Sequence, residues 1–166
     1  EIAEELRERA QGYLEKRDAE FTEKRRSLGV ADAVAEIDEL NPQRLVKLGE
    51  AGVKSMDDLA DLSTEELRFY MMDAPPRISP DEFGHLKDER RAKLLAKSVP
   101  EDGKIALTAE MLNYMKPHRL NNALGSSPMK HEEAEKILLA ARKRVYGDDF
   151  EWKKPEAEAA KEGAAA

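Results

Sequence analysis

The stretch Leu40–Met72, read from Glu39 as ELNPQRLVKLGEAGVKSMDDLADLSTEELRFYMM, carries the densest helix punctuation in the chain. Asn41 is an N-cap residue and Pro42 occupies the first helical position, where its missing N–H costs nothing. Leu45, Val46 and Leu48 form the apolar face of the short helix that follows. Gly49 and Gly52 bracket its end, and Gly52 suits the left-handed residue that commonly closes a helix. Ser55 with Asp58 resembles a capping pair with a shortened acid, and Ser63 with Glu66 fits the capping box outright. The stretch therefore reads as a helix, a tight turn at Gly52-Val53-Lys54, a short helix Met56–Asp61 and a third helix from Thr64. That order is a helix–hairpin–helix unit.

Composition limits what can surround it. The 166 residues include 38% charged and only 5% aromatic residues, so a core must come from Leu, Ile, Val, Ala and Met. No cysteine is present, which removes disulfides and thiolate metal sites and fits a reducing, cytoplasmic setting. No apolar run approaches the roughly 20 residues that span a bilayer. The chain opens on Glu1 within a helical pattern, as a piece of something longer would. The net charge of −7 is uneven. Residues 1–40 hold 12 acids and 7 bases, residues 41–73 hold 7 and 4, and residues 148–166 hold 6 and 3. Residues 74–147 reverse the sign with 10 acids and 14 bases. An acidic front half repels nucleic-acid phosphates, so proteins are the expected partners.

Outside the opening stretch the pattern remains helical. Residues 1–26 place Ile2, Leu6, Ala10, Tyr13, Leu14, Arg17 and Phe21 at helical spacing. Lys24-Arg25-Arg26 suits the C-terminal end of that helix dipole. Gly29 breaks it, and residues 31–37 form a short helical connector. Pro75-Pro76 forbid continuation of the third helix. Ser79-Pro80-Asp81-Glu82 predicts a new start, with a helix to about Lys97 that buries Phe83, Leu86, Leu94 and Leu95. Pro100–Gly103 is a turn. Lys104–Leu107 reads as an extended stub without an evident partner. Thr108 caps a short helix carrying Met111, Leu112 and Met115, and Pro117 opens another that ends at Gly125. The last helix, Lys130 to Tyr146, has a clean stripe of Ala134, Ile137, Leu138, Ala141 and Val145. Phe150 and Trp152 are expected against the domain, and the Ala/Glu/Lys tail of 148–166 is expected to be largely disordered. The fold class is all-α.

Catalytic chemistry finds little to work with. His85, His118 and His131 lack metal-ligand spacing; His131 with Glu135 is at most a weak pair on a solvated first turn. There is no glycine-rich phosphate motif, nucleophile elbow or HExxH. Carboxylates are too common for one pair to stand out as acid and base. The expectation is a non-enzyme without cofactor or metal. Two turns remain as binding candidates. In the first, Glu50, Gly52, Lys54, Asp57, Asp58 and Asp61 form a mostly acidic face that suits a protein surface better than DNA. The second, Gly125, Ser126, Ser127 and Lys130 followed by His131, has small residues, two hydroxyls and a cation. It reads either as a phosphate-binding turn at a helix N-terminus or as a plain capped loop.

LVKLGEAGVKSMDDLADLSTEEL resembles the first hairpin of the C-terminal acidic repeats of the bacterial transcription elongation and termination factor NusA. The matching positions are Leu45, Leu48, Gly52, Val53, Ser55, Asp57, Asp58, Leu59, Ala60, Leu62 and Glu66-Leu67. EIAEELRERAQGYLEKRDAE resembles the last helix of a preceding repeat, joined by a linker through residue 38. KHEEAEKILLAARKRVYGDDFEW resembles a closing helix, at Glu133, Ala134, Ile137, Leu138, Ala140, Ala141 and Arg142. The likeness covers about two thirds of the chain. It implies tandem helix–hairpin–helix units after a long N-terminal helix, with a repeat over 39–147 that holds an unfamiliar segment at 74–124. That segment either inserts helices into the second hairpin or replaces its first helix. The resemblance also implies a non-catalytic module of transcription termination and antitermination. Such a module docks on RNA polymerase through the C-terminal domain of the polymerase α subunit, on other elongation factors, or on the factor's own RNA-binding domains. The alternative is a nucleic-acid-binding protein acting through residues 125–131 and the basic middle. A third reading is an adaptor in which the middle segment covers the hairpins and binds a partner of its own.

Overall fold

Asn41 accepts the Arg44 amide at 2.8 Å, and Pro42 opens α3 (Pro42–Glu50). The helix closes through a paired C-terminal motif in which Gly52 takes a φ of +88°. The Val53 amide donates to Leu48 at 2.9 Å, and the Gly52 amide donates to Gly49 at 3.1 Å. Both Val53 and Leu48 are buried there, so the turn is fastened by apolar contact as well as hydrogen bonds. The same motif ends α1 (Ile2–Ser27), where Gly29 has φ +83° and the Val30 amide donates to Arg25. Ser55 and Ser63 each form a complete capping box, opening α4 (Met56–Ala60) with Asp58 and α5 (Thr64–Tyr70) with Glu66.

The computed structural model describes residues 1–98 and 100–151, and the chain is all-α. The expected tail from Lys153 and the packing of Trp152 lie outside these residues. Beyond the helices named above come α2 (Asp32–Ala35), α6 (Asp88–Leu95), α7 (Ala109–Leu112), α8 (Pro117–Leu124) and α9 (His131–Tyr146). No helix among the described residues is long and apolar enough to cross a membrane.

Two apolar clusters organise these elements. The first joins Val34, Leu45, Leu48, Leu59, Leu67 and Met71 to Ile137, Leu138 and Ala141 of α9. Burying each Ile or Leu of that α9 stripe contributes about 1.5–3 kcal/mol. Polar contacts fix the helix where the stripe places it. Arg142 Nε donates to the Ala60 carbonyl at 3.0 Å and its Nη2 to Leu62 at 2.9 Å. Arg44 pairs with Glu133, and Lys136 lies 2.9 Å from Glu39. That last contact lowers the Glu39 carboxyl below its usual range and raises the Lys136 amine. The second cluster contains Phe83, Leu94, Ile105, Leu107, Met111, Leu112, Met115 and Leu124, all from the middle of the chain.

The structure departs from the sequence reading at four places. The apolar stripe of α1 is not packed: Ile2, Leu6, Tyr13 and Leu14 are 77%, 60%, 67% and 47% exposed. Only the C-terminal end of α1 meets α3. There Arg25, read from sequence only as a charge favouring the helix dipole, is buried and donates to Val30 and Asp32. Second, the helix expected from Ser79 to Lys97 is broken. Residues Pro80–Phe83 make a 3₁₀ turn, and the extended backbone of Lys87 restarts the chain as α6. Gly84 favours the break, and Asp88 and Glu89 suit a new first turn. Third, the extended stub has a partner. Pro75-Pro76 feed an extended β1 (Arg77–Ile78), which pairs antiparallel with β2 (Ile105–Ala106), and the Leu107 amide donates to Pro76 at 2.9 Å. Asp102 and Gly103, at φ +54° and +75°, make the turn before β2. Fourth, Thr108 precedes α7 without a side-chain cap bond.

Two substitutions check this packing. A Cβ on Gly49 would come within 2.7 Å of Val30 Cγ2 and 3.0 Å of Leu28 Cβ, where α3 crosses the chain leaving α1. Gly49→Val is expected to destabilise by about 1–3 kcal/mol in urea unfolding although valine is the better helix former. The Thr108 hydroxyl is buried with no hydrogen-bond partner among the described residues. Thr108→Val is therefore expected to be neutral or to stabilise by up to about 1–3 kcal/mol, read as an unchanged or raised Tm.

Candidate docking site

The six residues of the acidic turn divide into structural and uncommitted groups. Glu50 is exposed but reaches back to α1, where its carboxylate lies 2.7 Å from Lys24 Nζ. Gly52 is the left-handed closing residue, and a Cβ there would meet open space, so its role is conformational. Asp58 serves its own turn: its Oδ2 accepts the amides of Lys54 and Ser55, each at 3.1 Å. Those backbone bonds, the Lys54 amide first, hold its carboxyl below the usual carboxylate range.

Asp57 and Asp61 are left, with the Lys54 side chain, on the water side of α4. They are four residues apart and share a helix face. Leu59 and Ala60 face the opposite way into the first cluster. Behind this face Arg142 of α9 donates to the carbonyls of Ala60 and Leu62, on either side of Asp61. The surface thus has an acidic rim on a backbone clamped from behind, which favours recognition without reorganisation.

The second turn is built differently. Gly125 has an ordinary right-handed helical conformation, and its amide donates to Asn122. Ser127 is committed: its hydroxyl donates to the Arg68 carbonyl at 2.7 Å and accepts the Met129 amide at 3.3 Å. Arg68 answers by donating to Leu124 at 3.1 Å and Met129 at 3.0 Å. Ser126 and Lys130 are exposed, and Lys130 is the residue before α9 without a side-chain cap bond. The turn is knitted to α5, with one of its two hydroxyls already used.

His131 lies 2.9 Å from Glu135 on the exposed first turn of α9. No group of three or more potential metal ligands occurs among the described residues. Sequence reading missed Arg68 and Arg142 as clamps, because their partners are carbonyls of residues distant in the chain. It also missed a basic trough along α6, whose signal was the change of charge sign after residue 74. No known protein family, curated protein or solved structure matches the chain.

The Asp58 contact gives a pH dependence. Its folded pKa is depressed, so the ionised carboxylate stabilises the fold above the unfolded value of about 4, and that contribution disappears as pH falls through the lower folded value. The wild-type chain is expected to exceed Asp58→Asn in Tm at neutral pH and to converge with it below about pH 4. Thermal melts across that range measure the convergence.

Proposed function

We propose that the chain is a non-catalytic protein-docking module of a NusA-like transcription elongation and termination factor, working in the cytoplasm. In this reading α3 to α5 form the first helix–hairpin–helix unit of a repeat over 39–147. The turn after residue 124 and α9 close the second, and the segment 74–124, which ends in α8, takes the place of that second hairpin's first helix. Residues 1–38 belong to the end of a preceding repeat and its linker. The partner is RNA polymerase, through the C-terminal domain of its α subunit, or another elongation factor.

The observation that carries this reading is the surface of α4. Asp57, Asp61 and Lys54 stand in water on a turn whose caps, left-handed glycine and Arg142 clamp hold the backbone fixed. The residue pattern that resembles the NusA repeats supplies the partner class. Asp58 caps its own helix and Glu50 pairs with Lys24 at the surface, so the reading centres the contact on Lys54, Asp57 and Asp61. The nucleic-acid reading through Gly125–Lys130 loses support, because the Ser127 hydroxyl serves Arg68 and Met129.

An NMR titration of the full chain with the C-terminal domain of the polymerase α subunit tests the proposal. Amides over Gly52–Leu62, or over Gly125–Glu133, should shift, and Asp57→Lys or Asp61→Lys should weaken binding by about five-fold. The absence of shifts in both regions at near-millimolar partner would remove polymerase docking.

A further inference from the structure

The middle segment carries a surface that the α4 reading does not use. Along α6 and at its two ends, Lys87, Arg90, Lys93 and Lys97 are exposed at helical spacing around the buried Leu94. Like charges at that spacing repel, so the stripe burdens a short helix. Lys97 is offset by Glu110 at 2.6 Å, and Lys93 has only an exposed contact with Glu89 at 3.7 Å. Among the described residues no carboxylate lies within ion-pair distance of Lys87 or Arg90.

These cations rim a trough. One cleft of about 700 Å³ has Leu94, Ala96 and Tyr114 as its apolar lining and Arg90, Lys93 and Lys97 at its edge. A second, of about 520 Å³, is lined by Leu86 and Lys87 and lies on the other side of Arg90 and Lys93, which line both. The Arg90 guanidinium lies 5.8 Å from the centre of the half-buried Tyr114 ring, a cation–π contact that holds the cation over the trough. The trough therefore combines an apolar floor with a positive edge on a molecule whose net charge is −7.

We infer that this trough binds a short acidic peptide segment of a partner protein, with one aromatic or large apolar side chain seated on Ala96 and the exposed part of Tyr114, above the buried Leu94. The cations match the flanking carboxylates, and the floor takes the anchor. A single-stranded nucleic acid fits less well. Glu89 and Glu110 interrupt the positive edge, only one ring is present for stacking, and the acidic remainder of the chain repels a long polyanion. The inference is independent of the α4 surface, and either can fail without the other.

Fluorescence anisotropy with the full chain tests it. The probe is a fluorescein-labelled peptide of aspartates and glutamates around a single phenylalanine, compared with its serine-for-phenylalanine version and with a labelled oligouridylate. The phenylalanine peptide is expected to bind with Kd on the order of 0.1 mM, and the serine version at least about ten-fold more weakly. Arg90→Glu and Lys93→Glu alter exposed side chains and should each weaken binding by about five-fold or more. Lys16→Glu on α1 makes the same change in net charge and should alter Kd less than about two-fold. Three results would overturn the proposal: no binding of the peptide at about 1 mM, equal weakening by Arg90→Glu and Lys16→Glu, or tighter binding of the oligouridylate.

Discussion

Helix α9 closes on α4 and α5 from far along the chain, and two arginines hold the closure on both flanks. Arg142 on α9 donates to the carbonyls that end α4, and Arg68 on α5 donates to the carbonyls on either side of the turn that leads into α9. Helix ends leave carbonyls without intrahelical partners, so each guanidinium satisfies groups that would otherwise be desolvated at some cost. Without α9 the apolar sides of Leu59 and Leu67 would face water. Short helices such as α4 and α5 are not stable alone, and their order comes from this packing.

The same closure gives the molecule its functional asymmetry. Because α9 covers one side of α4, the other side is left as a fixed, charged surface, and this is where the proposed polymerase contact lies. The residues from β1 through α8 gather a second apolar cluster around Phe83, Met111 and Leu124. That cluster turns the cations of α6 outward beside an apolar floor. A mostly acidic molecule thus presents two surfaces of opposite character, one acidic at α4 and one basic along α6.

Legibility followed the range of the interactions. Helix starts at Asn41, Ser55 and Ser63 and the left-handed closure at Gly52 were readable because caps are local chemistry within about four residues. The α9 stripe was readable from its period. The break at Gly84–Lys87 was not: the start signal at Ser79-Pro80 is used, but the turn it opens is 3₁₀ and stops at Gly84, and the chain restarts at Asp88. The pairing of Arg77–Ile78 with Ile105–Ala106 needed knowledge of a contact across 27 positions. At the candidate site, charge and spacing picked out the acidic turn as a whole. They could not separate Asp58, which caps its own helix, from Asp57 and Asp61, which do not. Nor could they show that Ser127 and Arg68 bind one another. The exposed stripe of α1 is the converse case: its periodicity is real, and no element among the described residues covers Ile2, Leu6, Tyr13 or Leu14.

The packing puts α9 in the same cooperative unit as α3, α4 and α5, although the middle segment separates them in sequence. Native-state hydrogen exchange measures this directly. The amides of α9 should open together with those of α3–α5 and respond in common to low concentrations of denaturant, while the amides of α6–α8 and Ile105–Leu107 follow a separate opening. If α9 instead exchanges in step with α6–α8, ahead of α3–α5, the closure described here is wrong.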